Sequence, residues 1–296
     1  MHILLLGAGG QLGREISDHA AKQGLSLTGL THADLDISDP VAVARALESH
    51  RPDVVVNAAA YTAVDKAESE PELAARINAF APAHIAERCA RYRTPLIHVS
   101  TDYVFDGTKP TPYVEQDPVA PLGVYGRTKA AGEAAVRSAM ERHIIVRTSW
   151  VYGAYGANFL KTVLRLARER DRLTIVADQI GCPTATHDLA EALLAAARAA
   201  ATGGARWGTY HFAGDGATTW HGFASEIVRV AAPKLGRHPE VAPITTADYP
   251  TPAQRPANSQ LASDLFHRSF GLRAAPWQQR VQEVVERLLA ETPVSA

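Results

Sequence analysis

The fold is decided by residues 1–13, which read MHILLLGAGGQLG. The apolar run at 3–6 predicts a short buried strand, and a glycine-rich turn separates it from a stretch with helical spacing of apolar residues. Glycines at 7, 10 and 13 allow a tight turn, a close approach to a pyrophosphate and close packing of the helix on the strand. The free N–H groups of the helix N-terminus favour an anion there. Residues 7–13 therefore predict a dinucleotide-binding turn.

The spacing of these glycines is G-x-x-G-x-x-G. The commoner G-x-G-x-x-G pattern would place its third glycine where Leu12 stands. A glycine-rich turn without a ligand is the alternative interpretation. The strand before the turn and the helix after it favour the dinucleotide.

Short apolar runs alternate with longer stretches of helical spacing through the first half of the chain. The predicted strands are 3–6, 25–30, 54–56, 96–99 and 144–146, and the predicted helices are 11–23, 40–50, 71–93 and 123–141. Strands so continuously rich in Val, Ile and Leu are typical of a parallel sheet covered on both faces. The sequence therefore predicts an α/β fold with a doubly wound parallel sheet of Rossmann type.

After Trp150 the pattern is less regular. It predicts helices at 158–170, 187–201, 220–231 and 276–289, strands near 173–176 and 209–213, and ligand-shaped loops among the prolines between 243 and 256. We expect a dinucleotide-binding domain formed by 1–150 and about 184–216. A smaller, interleaved substrate-binding lobe would then comprise about 151–183 and 217–296.

The composition excludes several classes of protein. Of the 296 residues 46% are hydrophobic, and 30 Lys and Arg balance 31 Asp and Glu to a formal net charge of −1. A disordered chain would be less hydrophobic, and a nucleic-acid binder usually carries a basic excess. No stretch of about 18 apolar residues occurs, so we expect no membrane span.

The two cysteines indicate the redox environment of the protein. Cys89 and Cys182 are the only two, and they form no C-x-x-C pair, so neither a disulfide framework nor a zinc site is expected. A reducing cytosol fits best.

Tyr125 and Lys129 lie four residues apart near the start of a predicted helix and therefore share one face. A neighbouring cation stabilises phenolate, so we expect Lys129 to pull the pKa of Tyr125 down from about 10 and to make it a proton donor. By itself such a pair also arises by chance on a solvated helix face. The glycine turn upstream favours the functional interpretation.

Polar residues follow the fourth predicted strand. Ser100 and Thr101 emerge at the carboxyl end of the sheet, where ligands bind in open α/β folds, and either could hydrogen-bond a substrate carbonyl beside Tyr125. The alternative is that they only shape the turn after the strand.

The end of the second strand bears on the choice of cofactor. An acidic residue there would bind the ribose hydroxyls of NAD, but this sequence has Leu30, Thr31 and His32. Without that carboxylate a 2′-phosphate meets no repulsion, and Arg14 or His32 could pair with it. We therefore expect NADPH, with NADH left open.

Taken together, these motifs resemble the extended short-chain dehydrogenase/reductase superfamily, and within it the dTDP-4-dehydrorhamnose reductases. The resemblance runs over nearly the whole chain. It rests on GAGGQLG at 7–13, RPDVVVNAAAYTAVDKAE at 51–68, STDYVFDG at 100–107, PLGVYGRTKAAGE at 121–133, RTSWVY at 147–152 and YPTPAQRPANS at 249–259. It implies reduction of the C4 ketone of dTDP-4-dehydro-β-L-rhamnose to dTDP-L-rhamnose.

The resemblance also implies roles for individual residues. Tyr125 would protonate the carbonyl oxygen as hydride arrives, Lys129 would tune Tyr125 and bind the nicotinamide ribose, and Thr101 would orient the ketone. The implied cofactor contacts are Gly7, Gly10, Gln11, Leu12 and Gly13 at the pyrophosphate, Asp36 and Ile37 at the adenine, and Ala60, Tyr61 and Thr62 along the remainder. Asp102, Tyr103 and Trp150 would contact the sugar nucleotide, and a buried core tryptophan is the alternative interpretation of Trp150.

Two residues of the proline-rich stretch have two interpretations. Arg255 and Asn258 are candidates for contacts with the diphosphate or the sugar, or they belong to a solvated loop.

One feature of the family is not matched. Some members are thought to dimerise through magnesium held by glutamates, and Glu15 matches one of these, but His187 stands at a second. A magnesium-dependent dimer is therefore not expected and we assign no metal ligand, while a homodimer is left open.

Two other functions remain as alternatives. Sugar-nucleotide epimerases and dehydratases share the glycines and the Tyr–Lys pair, but the 4,6-dehydratases place a glutamate where Tyr103 stands. A regulatory subunit of methionine adenosyltransferase is similar too, without catalysis, but it lacks the counterpart of Trp150. Both differences favour the reductase.

Overall fold

The computed structural model describes residues 1–290. In that part of the chain the strands are β1 (His2–Leu6), β2 (Ser26–Leu30), β3 (Val54–Asn57), β4 (Leu96–Thr101), β5 (His143–Thr148), β6 (Val151–Tyr152), β7 (Arg172–Val176), β8 (Ile180–Gly181), β9 (Thr184–Ala185), β10 (Gly208–His211), β11 (Thr218–Thr219) and β12 (Glu240–Ile244). Six of them form one parallel sheet in the order β10-β5-β4-β3-β1-β2.

Helices cover both faces of this sheet. They are α1 (Gln11–Lys22), α2 (Pro40–His50), α3 (Val64–Ala67), α4 (Pro71–Ala75), α5 (Ala81–Tyr92), α6 (Val124–Ala139), α7 (Phe159–Glu169), α8 (Thr186–Thr202), α9 (Trp220–Leu235), α10 (Asp264–Phe270) and α11 (Trp277–Ala290). Apolar residues of α1 and α8 form one core with the sheet, and those of α2, α5 and α6 form another on the opposite face. This confirms the predicted doubly wound parallel sheet.

The alternation of strand side chains explains why both faces are covered. In β1, Ile3 and Leu5 belong to the core under α1 and α8, whereas Leu4 and Leu6 belong to the core under α2 and α5. Every second residue of an apolar strand points to the same face, so a run without polar residues has two faces to bury. The strand order reverses at β1, and the crevice at such a switch point is where ligands bind in open α/β sheets.

A second, smaller core lies outside the sheet. Residues of α7, α9 and α11 surround Tyr152, Phe223 and Trp277, and β7 pairs with β12 beside them. Within the expected lobe, α10 differs, because its Phe266 packs in the first core against the sheet. The division of the chain into two lobes therefore remains a proposal, with α10 attached to the sheet.

The structure departs from the predicted elements in several places, and it adds elements that the sequence does not predict, namely α3, α10, β6, β8, β9, β11 and β12. The single helix expected at 71–93 is interrupted by a π-helical turn, Arg76–Phe80, which separates α4 from α5. The prolines expected only in loops include Pro243, which lies within β12. Proline is tolerated there because β12 is an edge strand of a two-stranded sheet.

No helix of residues 1–290 is long and apolar enough to cross a membrane.

The first helix depends on the absence of a side chain at position 13. A Cβ on Gly13 would lie 2.2 Å from the carbonyl oxygen of Gly7, so Gly13→Ala must push α1 away from β1. We expect a loss of about 1–3 kcal/mol in the free energy of unfolding, measured by urea denaturation. Gly9→Ala is the matched control, because its Cβ would meet only ordinary contacts at 3.6 Å. Equal stability of the two variants would contradict this account.

Candidate active site

The glycine turn leads into α1 without a side chain that caps the N-terminus of the helix. Gly7 has φ +83°, and a Cβ there would lie 2.7 Å from the backbone nitrogen of Ala59, so the turn lies directly against the chain after β3. Gly10 precedes α1, and no side chain caps the helix. The first backbone N–H groups of α1 therefore have no capping side chain as a partner. Such groups bind anions, so the end of the helix suits a pyrophosphate. The residues at 7–13 therefore fit a dinucleotide.

Gln11 and Leu12 differ in what their side chains do. Leu12 is buried in the core beneath the sheet, so only its backbone faces the turn. The Gln11 amide donates to the carbonyl of Val151 at 3.4 Å and accepts from Asn158 at 3.3 Å. Gln11 thus joins the glycine turn to Val151 and Asn158.

The loop after β3 is held by a residue that the sequence did not single out. Asn78, buried in the π-helical turn, accepts from the backbone N–H of Tyr61 at 2.9 Å and donates to its carbonyl at 3.0 Å. This fixes the backbone of Ala60, Tyr61 and Thr62 beside the crevice. The Tyr61 hydroxyl donates to Glu70 at 2.6 Å, and that bond raises the pKa of Tyr61 to about 12.

Two carboxylates follow β2, and Asp34 accepts from the backbone N–H and hydroxyl of Thr31 at 2.9 and 2.6 Å. Asp36 accepts from the backbone N–H and hydroxyl of Ser38 at 2.9 and 2.8 Å, which lowers its pKa, and Ile37 is buried. Thr31 lies close to Gly9, with its Cβ 3.6 Å from where a Cβ on Gly9 would stand. Thr31, which follows β2 and borders the glycine turn, is therefore an uncharged residue at this position, as the sequence indicates.

The proposed proton donor lies at the carboxyl end of β4. A Cβ on Gly126 would lie 2.1 Å from the carbonyl oxygen of Tyr103, so α6 packs directly on the backbone after Thr101. The rings of Tyr103 and Tyr125 meet edge to face with centroids 5.5 Å apart. The Thr101 hydroxyl donates to the Asp102 carboxylate at 2.9 Å. The structure thus brings together Thr101, Asp102, Tyr103 and Tyr125.

The ionisation of this cluster differs from the expectation for Tyr125. Burial raises the pKa of Tyr125 to about 12, an effect that the Thr101 hydroxyl opposes and the Asp102 carboxylate reinforces. The predicted lowering by Lys129 is wrong for this structure, because the Lys129 ammonium donates instead to the carbonyl of Val99 at 2.7 Å. Burial also raises the pKa of Asp102 to about 6.

Lys129 is almost fully buried, with 2% of its surface exposed. Burial lowers its pKa to about 8, and the negative charge of Glu133 opposes that shift. Glu133 in turn receives two hydrogen bonds from the Arg147 guanidinium, at 2.8 and 2.7 Å. Burial by itself would raise the pKa of Glu133, but Arg147 outweighs it and lowers the pKa to about 2.

Trp150 has a strained backbone conformation and packs against the smaller core. It is one of three residues other than glycine with positive φ among residues 1–290, at +47°. Its indole stacks on that of Trp220 with centroids 3.6 Å apart, and its edge lies against Gly181, where a Cβ would approach to 2.4 Å. One indole face is therefore occupied by another indole rather than open to a ligand.

Arg255 and Asn258 are both engaged within the protein. The Arg255 guanidinium donates to both carboxylate oxygens of Asp65, at 3.0 and 2.8 Å, and ties the proline-rich stretch to α3. The amide of Asn258 donates to the carbonyls of Lys109 and Thr111 and accepts from the N–H of Gln260. Both N–H groups of the Asn258 amide are thus used within the protein, so neither is available to a diphosphate in this arrangement.

Comparisons with known proteins agree with this geometry. A family model described as "RmlD substrate binding domain" matches residues 1–290. The dTDP-4-dehydrorhamnose reductase of Sinorhizobium fredii is 42% identical over 98% of this chain and 99% of its own. The chain belongs to the dTDP-4-dehydrorhamnose reductase family.

Solved structures of this reductase family have the same fold. That from Clostridium acetobutylicum has a TM-score of 0.91 at 38% identity, covering 97% of this chain and 99% of its own. That from Bacillus anthracis, in complex with NADP, has a TM-score of 0.89 at 34% identity, covering 98% and 99%.

The sequence analysis does not assign a role to Asn78, Glu133 or Arg147. All three are buried polar or charged residues, and each contacts an element that is distant in the chain. A glutamate among small residues in the apolar half of a helix is the signal that could have indicated Glu133, because such a charge needs a partner.

The Glu133–Arg147 pair predicts a defined pH dependence of stability. The folded pKa of about 2 lies below the ordinary value of 4.5, so the contribution of Glu133 is full above pH 4.5 and declines as the pH falls toward 2. At pH 7 Glu133→Gln should cost about 3–5 kcal/mol in the free energy of unfolding, because Arg147 stays buried without its anion. Urea denaturation at pH 7 and pH 3 should show a smaller difference from the parent protein at pH 3. A difference that grows toward low pH would contradict the assignment.

Proposed function

We propose that this chain reduces the C4 ketone of dTDP-4-dehydro-β-L-rhamnose to dTDP-L-rhamnose with NADPH, in the last step of making that activated sugar. The observation that carries the proposal is the contact of Thr101 with Tyr125 at the carboxyl end of β4. The strand β4 belongs to the same parallel sheet as β1, and the glycine turn follows the carboxyl end of β1. Full-length relatives bear the name of this reductase, and one solved relative is a complex with NADP.

The protonation state of Tyr125 suits reduction. NADPH, when bound, supplies the hydride. A phenol whose pKa is about 12 keeps its proton at neutral pH and can give it to the carbonyl oxygen as negative charge develops there. The Thr101 hydroxyl opposes the rise in the pKa of Tyr125 and orients the ketone, and the buried Lys129 ammonium, held at the Val99 carbonyl, binds the nicotinamide ribose.

Removal of the phenol tests this mechanism. Tyr125→Phe should lower kcat by roughly 10²–10⁴-fold, the usual contribution of a positioned acid. The measurement is NADPH oxidation in a coupled assay in which the two preceding enzymes make the substrate from dTDP-glucose. Tyr92→Phe is the control, since that hydroxyl lies on α5 and donates to Glu48 at the surface. Full activity of Tyr125→Phe would remove Tyr125 from the mechanism.

The same assay distinguishes the alternatives. No turnover by the parent protein, with NADPH still bound, would favour a non-catalytic NADP-binding subunit. Turnover of a different nucleotide sugar without net oxidation of NADPH would favour an epimerase or dehydratase.

The cofactor preference is a separate prediction. With no carboxylate at the end of β2, kcat/KM should be higher for NADPH than for NADH. Arg14→Ala and His32→Ala should each reduce that ratio if the side chain pairs with the 2′-phosphate. Arg45→Ala, on α2, is the control. A parent ratio below one would contradict the preference.

The cytosol is the compartment we propose. Both cysteines are buried as free thiols, and burial raises the pKa of Cys182 to about 11. Neither thiol is therefore activated for nucleophilic chemistry.

A homodimer is the oligomeric state that we propose alongside the monomer.

A further inference from the structure

Helices α1 and α8 pack against each other and carry the same pair of residue types in opposite order. Glu15 and His19 are four residues apart on α1, and His187 and Glu191 are four apart on α8. Residues at that spacing share one helix face. One donor atom from each of His19, His187 and Glu191 lies within 4.8 Å of the other two.

His19 has a nitrogen without a hydrogen bond. The residue is 4% exposed, and its Nε2 atom has no hydrogen-bond partner. The nearest carboxylate oxygen, from Glu15, is 3.6 Å away, which is beyond hydrogen-bond distance. Its Nδ1 atom lies 3.8 Å from Glu191. The two ring nitrogens therefore face different carboxylates, and Nδ1 is the atom of His19 that can share an ion with Glu191.

His187 is oriented by a carboxylate behind it. Its Nδ1 atom lies 3.3 Å from Asp188, which is buried and also accepts from Arg280 at 2.8 Å and from the N–H of Ala275 at 3.1 Å. An imidazole with one nitrogen bonded to a carboxylate presents its other nitrogen, and metal-binding histidines have this arrangement. The His19 and His187 rings meet edge to face with centroids 4.5 Å apart.

We propose that His19, His187 and Glu191 bind one divalent transition-metal ion of the zinc class, which joins α1 to α8. Two imidazoles and a carboxylate are a ligand set that Zn²⁺ takes, with water in the fourth position. Metal–ligand distances of about 2.0–2.2 Å require the donors to move closer. His187 and Glu191 are free to do so, because their side chains are 39% and 42% exposed.

Magnesium, which the family resemblance implies, does not fit these residues. Mg²⁺ takes oxygen ligands and waters, and imidazole suits transition metals instead. The carboxylate of Glu15 is already engaged, since it accepts from the Thr186 hydroxyl at 3.0 Å and lies 3.7 Å from the Arg287 guanidinium. That leaves Glu191 as the carboxylate next to the two imidazoles.

The test is direct measurement of metal binding by the full chain without a polyhistidine tag. Zn²⁺ affinity is measured by competition with a chromophoric chelator, and Co²⁺ is used as a visible probe of coordination. We expect one ion per chain, and at least a roughly 10-fold loss of affinity in His187→Gln and in Glu191→Gln. His84→Gln is the matched control, because His84 and Glu87 form a similar pair 3.8 Å apart on α5 without a second imidazole.

A second measurement separates binding from damage to the fold. Saturating Zn²⁺ should raise the Tm of the parent protein and of His84→Gln, but not that of the two ligand variants, whose circular dichroism should match the parent. If His187→Gln fails to fold, Glu191→Gln carries the test. Equal Zn²⁺ affinity in the parent protein and Glu191→Gln would overturn the proposal. Displacement of Co²⁺ by millimolar Mg²⁺ would overturn the choice of metal.

Discussion

The buried ion pair of Glu133 and Arg147 holds α6 on the sheet, and the candidate active site depends on it. Arg147 lies in β5 and Glu133 on α6, one helical turn after Lys129. Two charges with almost no exposure persist in a core only when both are hydrogen-bonded, and here both guanidinium-to-carboxylate bonds are shorter than 3 Å. Loss of either partner leaves a buried charge, so this contact fixes where α6 lies.

The position of α6 then determines the electrostatics of the site. Glu133 supports the positive charge of Lys129, whereas His98 is kept neutral, because burial first and Lys129 second lower its pKa well below the usual range. The Lys129 ammonium is held by the Val99 carbonyl on β4, next to the strand end that carries Thr101. The buried cation therefore lies beside the strand that carries Thr101, while the pKa of Tyr125 is set by burial, Thr101 and Asp102.

The sequence predicts the sheet well because β1, β3 and β5 are continuous apolar runs, which report burial on both faces. It predicts the glycine turn because only glycine tolerates the contacts at Gly7 and Gly13. It leaves Asn258 with two interpretations, since a polar residue in a proline-rich stretch looks the same in sequence whether it binds a ligand or backbone carbonyls. It fails for the pKa of Tyr125, because burial depends on tertiary packing that no local spacing reports.

Several contacts between segments far apart in the chain involve residues of the candidate site. Gln11 joins the pyrophosphate turn to Val151, and Arg255 joins the proline-rich stretch to Asp65 beside Tyr103. Trp150 follows β5 by two residues and has a strained backbone conformation, and its indole stacks on that of Trp220. The glycine turn is therefore in direct contact with residue 151, and the loop beside Tyr103 is in direct contact with the proline-rich stretch, so the two parts of the candidate site are both held by segments that come much later in the chain.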